Sequence, residues 1–205
     1  MKKNKISKDW IIKQHRDQYF KNSKSHGYRS RSAYKLIELD NKFKFFKKKK
    51  IIIDLGCYPG GWSQVAKENT DKSKILSLDL KKMDKLQGVQ FICRDFQKDE
   101  TKKEVLKILG EKADVLMSDM AANTTGNKSL DSIRTNALTQ QVIDFSRFVL
   151  KDDGVVICKL FTGQDFLEIK DLAKKKFKKV DFFKPKSSKD FSKETYIHCK
   201  GIKTL

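Results

Sequence analysis

From Ile51 onward the chain alternates short, continuously apolar runs with longer segments of helical spacing, and few architectures accept that alternation. The runs predict strands at 51–53, 75–78, 90–93, 113–117, 155–158, 180–183 and 195–199. The segments between them predict helices over 62–69, 101–109, 130–150 and 166–177, the third of these closed by Asp152-Asp153-Gly154. Apolar residues that do not alternate with polar ones mark strands covered on both faces, and strand–helix alternation lays parallel strands between two helical layers. The last two strands have only a Ser/Lys-rich loop, 185–193, between them and predict an antiparallel pair at one edge. The expected fold is a single doubly wound α/β domain, with a seven-stranded, mostly parallel sheet and one antiparallel edge strand.

The residues ahead of this pattern are polar, basic and only weakly periodic. Trp10-Ile11-Ile12 and Tyr19-Phe20 predict a short helix ending near Gly27, and a second helix is predicted over 32–42, with Ala33, Leu36, Ile37 and Asp40 on one face. Charge adds a functional clue: 46 Lys and Arg against 26 Asp and Glu leave a formal net charge of +20. A lysine-rich composition contributes to that excess, so its distribution carries more weight than its sum. Residues 1–31 hold +8, residues 170–193 hold +7, and Lys47–Lys50 form a third block. Such clusters attract a phosphate backbone and make binding salt-dependent. A membrane span is excluded by the lack of any sufficiently long apolar stretch. No apolar core follows the basic start, which excludes a secretory signal, and Asp9 and Asp17 argue against a transit peptide. Cys57, Cys93, Cys158 and Cys199 show no CxxC spacing, which fits neither a disulfide scaffold nor a zinc site, and a reducing cytosol is the expected location.

In an open α/β sheet ligands bind beyond the carboxyl ends of the strands. Asp54, Asp79, Asp95 and Asp119 follow the first four predicted strands, and Lys159 ends the fifth. Any one of these acids could be a turn former or helix cap; four in succession with a lysine point to a site. The first turn, Asp54-Leu55-Gly56-Cys57-Tyr58-Pro59-Gly60-Gly61-Trp62, brings glycines to where the backbone must approach a ligand, ahead of a helix N-terminus. It is neither the GxGxxG fingerprint nor a P-loop. Asp79, at the end of the second strand, is placed to accept bonds from both hydroxyls of an adenosine ribose. Turn and acid together leave NAD and S-adenosylmethionine both open.

Four further segments carry a resemblance: Ser30-Arg31-Ser32-Ala33-Tyr34-Lys35-Leu36, the glycine turn through Ser63-Gln64, Met117-Ser118-Asp119-Met120-Ala121-Ala122-Asn123, and Lys159 with Ser192-Lys193-Glu194-Thr195-Tyr196-Ile197. In this order, from about residue 30 to residue 201, the chain resembles the FtsJ (RrmJ) class of ribosomal RNA ribose 2′-O-methyltransferases. The resemblance implies a Rossmann-like class I fold dependent on S-adenosylmethionine, with residues 1–31 as a basic RNA-contacting extension and 32–205 as one methyltransferase domain. The family's catalytic Lys-Asp-Lys-Glu set carries over to Lys35, Asp119, Lys159 and Glu194. Its cofactor contacts carry over to Gly60, Trp62, Asp79, Asp95 and Asp119. The implied partner is ribosomal RNA within the large subunit, at a uridine of the peptidyl-transferase A-loop. No membrane or obligate protein partner is implied, and a monomer is expected. The sequence departs from the family at Cys57-Tyr58, where two small residues are usual, and at Ala122, where proline is usual.

The chemistry accounts for these residue types. Methyl transfer from a sulfonium to a ribose hydroxyl is an in-line displacement that needs no metal but does need a base. A lysine serves only as the neutral amine, so Lys159 is expected well below its usual pKa of about 10.4, lowered by burial and by the Lys35 ammonium. Asp119 would orient it, and Lys35 with Glu194 would position the substrate. Trp62 reads equally as core or as a cofactor shelf. The fourth strand is followed neither by the Asp/Asn-Pro-Pro-Tyr/Phe of amino-group methyltransferases nor by the Pro-Cys of cytosine C5 chemistry. Three alternatives stand beside this reading: a transfer RNA ribose methyltransferase, a catalytically idle RNA-binding assembly factor, and an NAD-dependent oxidoreductase.

Overall fold

The computed structural model describes residues 17–48 and 50–203; the helix expected around Trp10 lies outside them. The elements are α1 (Gln18–Ser25), α2 (Ala33–Phe43), β1 (Ile51–Leu55), α3 (Gly61–Glu68), β2 (Lys74–Asp79), β3 (Val89–Cys93), α4 (Asp99–Leu109), β4 (Ala113–Ser118), α5 (Lys128–Val149), β5 (Leu150–Phe161), α6 (Phe166–Lys176), β6 (Phe177–Phe183) and β7 (Glu194–Ile202). They build one seven-stranded sheet in the order β3-β2-β1-β4-β5-β7-β6. The pairs from β3 through β5 are parallel, and β7 runs against both β5 and β6. The expected antiparallel pair therefore stands at one edge, with its reversed member, β7, inserted between β5 and the outermost strand β6.

Period-two alternation explains why the strands look continuously apolar. Ile51, Ile53 and Leu55 face a layer formed by α4, α5 and α6, where Val105, Leu109, Val142, Phe145, Val149 and Ile169 are buried. Ile52 faces the other layer, with Ala33, Leu36 and Leu39 of α2 and Trp62, Val65 and Ala66 of α3. All five β1 residues are buried, each large apolar side chain contributing about 1.5–3 kcal/mol. On α2 the buried stripe runs through Leu39 rather than Asp40, whose carboxylate instead accepts the backbone N–H of Phe46 at 3.0 Å.

Two boundaries differ from expectation. Helix α5 stops at Val149, and β5 begins at once, pairing Leu150 with Ala113 and then Val155 with Val115. Residues 151–154 bulge opposite Asp114, so the Asp-Asp-Gly segment lies inside a strand. At the other end β5 continues to Phe161 because β7 pairs with it as far as Phe161–Glu194. Lys159 is therefore within a strand, not at its end.

Residues 17–31 are fastened to this frame. Asp17 caps α1 by accepting the Phe20 N–H and pairs with Arg31 at 2.7 Å. The Arg29 guanidinium donates to the Asp84 and Lys85 carbonyls, each at 2.7 Å. Among the described residues no helix is long and apolar enough to cross a membrane.

Candidate active site

The sheet's own periodicity assembles a polar cluster on the α2/α3 face. Counting by two, Val115 and Met117 lead to Asp119, Val155 and Ile157 lead to Lys159, and Tyr196 shares its face with Glu194. Register then aligns them: Ser118 pairs with Cys158, Lys159 with Tyr196, and Phe161 with Glu194. Helix α2 covers that face and delivers Lys35. The Lys159 ammonium lies 2.8 Å from Asp119 Oδ1, donates to the Asp119 carbonyl at 2.8 Å, and stands 3.7 Å from Glu194. Lys35 Nζ is 2.7 and 2.8 Å from the two Glu194 oxygens. The four residues predicted as a catalytic set are thus one contiguous group.

These charges are buried: Lys159 is 7% and Glu194 8% exposed. Burial alone would make them costly, and mutual pairing offsets the cost. Burial pulls the Lys159 amine down, but the Asp119 and Glu194 carboxylates outweigh it and hold the pKa above its usual value. Burial pushes Asp119 up, and the Lys159 and Lys35 ammonium groups pull it below the ordinary carboxylate range. The expected depression of Lys159 is therefore reversed, because Lys35 is itself paired with Glu194 and a second carboxylate, Asp119, sits against the amine.

Tyr196 is a site residue that the sequence reading left without a role. Its hydroxyl donates to Asp119 Oδ1 at 2.5 Å, and burial with the nearby carboxylates raises its pKa well above normal, so it stays a donor. Its position two residues after Glu194 on a strand was the available signal. Ser188 adds a hydrogen bond to Glu194 at 2.7 Å.

Beside this cluster a cleft of about 630 Å³ opens beyond the carboxyl ends of β1 to β4. Strand order reverses at β1, which lies between β2 and β4, so this is the topological switch point of the sheet. Asp79, Asp95 and Asp119 all line it, as do Tyr58, Leu80, Phe96 and Arg134. Asp79 accepts the Tyr58 and Lys81 backbone N–H groups at 2.8 Å each and retains lone pairs toward the cleft. Gly56 has a φ of +69°, and a Cβ there would run into Met120, whose backbone follows Asp119.

Not every predicted residue lines the cleft. Gly60 (φ +110°) is backed by Met83 and Arg29. Trp62 is core, its indole N–H donating to the Ser32 carbonyl at 2.9 Å and its ring 5.7 Å from Tyr196. Gly60 is the N-cap of α3, its own N–H donating to the Cys57 carbonyl at 2.6 Å, and Trp62 lies in the first turn, whose N–H groups have no intrahelical partner. Asp54, the remaining acid of the predicted rim, is buried inside β1 and accepts the Ser63 hydroxyl at 2.6 Å. Cys57, Cys158 and Cys199 are buried, whereas Cys93 is exposed.

A carboxylate-lined cleft at a switch point, flanked by a buried Lys-Asp pair, suits a cationic nucleoside. The family model of the FtsJ-like methyltransferases matches residues 28–202. The chain belongs to the FtsJ-like methyltransferase family. It is 47% identical over 203 residues to a Pelagibacter ubique protein named Ribosomal RNA large subunit methyltransferase E, covering 99% of this chain and 100% of that one. A crystal structure of a ribosomal RNA methyltransferase from Plasmodium falciparum superposes with a TM-score of 0.76 at 38% identity, over 85% of this chain and 98% of that one. Human methyltransferase-like protein 13, solved in complex with SAH, shares the fold with a TM-score of 0.55 at 13% identity, over 82% of this chain and 78% of that one.

The two departures from the family pattern have separable consequences. Cys57 is buried, and Tyr58 forms part of the cleft wall, half exposed, with the Lys81 ammonium 5.5 Å from its ring centroid. Ala122 keeps the loop after β4 in place by donating its N–H to Thr135 Oγ1 at 3.1 Å.

Proposed function

We propose that this FtsJ-like methyltransferase transfers the methyl group of S-adenosylmethionine to a ribose 2′-hydroxyl of large-subunit ribosomal RNA. By resemblance the target is a uridine of the A-loop, met in the assembled subunit. The name of the Pelagibacter relative supports the RNA class. The observation that carries the chemistry is the buried contact of Lys159 with Asp119 at the cleft edge.

The cleft volume fits a nucleoside-sized ligand. Asp79 would hold the ribose hydroxyls, Asp95 with Leu80 and Phe96 the adenine end, and Asp119 the cationic sulfur. The Gly61 and Trp62 N–H groups at the start of α3 would meet the carboxylate of the methionine moiety. S-adenosylmethionine supplies an electrophilic methyl group when bound; all other steps fall to the chain.

Lys159 is the group that takes the proton from the 2′-hydroxyl. The Asp119 and Glu194 carboxylates hold its pKa above the usual value, so proton transfer requires that pairing to loosen. Asp119, which would also face the cationic sulfur, would then be shared, and its weaker hold on Lys159 would lower the pKa of that amine. Asp119, steadied by Tyr196, keeps the amine aimed. Lys35 and Glu194 position the ribose, and the basic segments 1–31 and 170–193 supply sequence-independent phosphate contacts. Ribose methylation mapped across ribosomal and transfer RNA, from cells with and without the protein, tests the reading. Loss of one large-subunit site is expected; a lost transfer RNA site would move the substrate, and no lost site would overturn the function.

A further inference from the structure

Phe191 is 84% exposed, the most exposed large hydrophobic side chain among the described residues. Scattered exposed apolar residues are ordinary, so exposure alone says little. Three further observations distinguish this ring. First, the loop that carries it is fixed. The Glu38 carboxylate accepts the N–H groups of Lys186 and Ser187 at 2.6 and 2.9 Å, and Arg31 donates to the Ser187 carbonyl at 2.6 Å. On the other side Lys184 Nζ donates to the Asp190 and Ser192 carbonyls that flank the ring. Second, its surroundings are cationic: Lys184, Lys186, Lys189 and Lys193 share the loop, and the Lys189 ammonium lies 5.9 Å from the ring centroid. Third, the loop runs directly into the catalytic cluster. Its Ser188 hydroxyl bonds to Glu194, and three residues of chain keep Phe191 within about 11 Å of Glu194.

An aromatic carried on a fastened loop among lysines, beside a site for a ribose, matches what single-stranded RNA requires: a flat apolar face for a splayed base and ammonium groups for its phosphates. We propose that Phe191 is the stacking platform for an unpaired nucleobase flanking the methylated ribose, with Lys189 on the neighbouring phosphate. The inference rests on the RNA-methyltransferase reading and deepens it by assigning a substrate-positioning residue in a loop otherwise read as a charge cluster.

The test is binding of a uridine-rich single-stranded RNA oligonucleotide, and of large ribosomal subunits from cells lacking the protein, over a salt series. F191A is expected to weaken oligonucleotide binding roughly 5- to 150-fold at every salt concentration, the loss of one base stack, with the salt slope unchanged. K189A is expected to flatten the slope by about 0.7, one phosphate contact. F191W should restore affinity, and its fluorescence should be quenched by the oligonucleotide. In methyl transfer F191A should raise KM for RNA far more than it lowers kcat, while its affinity for S-adenosylmethionine and its melting temperature stay near the parent's. Oligonucleotide affinity of F191A within twofold of the parent would overturn the proposal while leaving the enzyme reading intact. A defect seen with subunits but not with bare RNA would also overturn it, assigning the ring to a ribosomal protein. Failure of the parent protein to bind either RNA would overturn both readings.

Discussion

Replacing Asp54 by Asn should make the protein more stable at neutral pH than the parent, by an amount that grows with pH. The carboxyl is wholly buried under the start of α3, accepts the Ser63 hydroxyl, and sits within the field of Asp119 and Asp79. Burial, helped by those two charges and opposed by Ser63, lifts its pKa from 3.8 to about 7. A folded-state pKa above the unfolded one means that the protonated acid stabilises the fold fully below about pH 4. That contribution is lost as pH rises through about 7, beyond which the fold must bury a carboxylate. Three pH units at 1.36 kcal/mol each correspond to about 4 kcal/mol. Asn can still accept from Ser63 through its side-chain carbonyl and does not titrate. The difference in unfolding free energy, variant minus parent, should therefore climb by about 4 kcal/mol between pH 4 and pH 8. Urea unfolding of both proteins at stepped pH measures it, because groups common to the two cancel. A difference that stays flat across the range would refute the reasoning and show Asp54 ionised at low cost.

Two other substitutions separate cofactor binding from substrate positioning. Asp79→Ala removes the acceptor for the Tyr58 and Lys81 N–H groups and a carboxylate from the cleft, and calorimetry should show S-adenosylmethionine binding weakened at least about tenfold. Glu38→Ala frees the two N–H groups that fix the loop at 186–187, which should raise KM for RNA and sensitise residues 184–193 to limited proteolysis, with cofactor affinity preserved.

Much of the architecture is legible in the chain because the strands are short apolar runs with clear punctuation. Ile51-Ile52-Ile53 before the glycine turn can only be a strand covered on both faces, and it is. The reach of β5 was hidden because polar residues interrupt it: Asp152 and Asp153 look like a turn, and Lys159 looks like an end, until pairing with Ala113 and β7 is known. Position within the site was readable from motif resemblance, whereas charge state was not. Lys35 beside Lys159 suggests a repelled, neutral amine, but the partner carboxylates come from segments 119 and 194, far apart in sequence, and their closeness reverses the sign. Trp62 illustrates the opposite limit: a tryptophan after a glycine turn fits shelf or core equally well, and the Ser32 carbonyl that takes its N–H decides for core. Tyr196 escaped notice because a buried tyrosine on an apolar strand is ordinary until Asp119 is found at its hydroxyl.

The account stands or falls with the Lys159 amine. Single-turnover transfer of labelled methyl from S-adenosylmethionine to large subunits lacking the mark, by the parent and Lys159→Ala, is the direct measurement, with cofactor binding checked by calorimetry. The parent should transfer faster as pH rises and the amine sheds its proton, while the variant binds cofactor comparably and transfers at least about a thousandfold more slowly. Transfer by Lys159→Ala within tenfold of the parent would contradict the account.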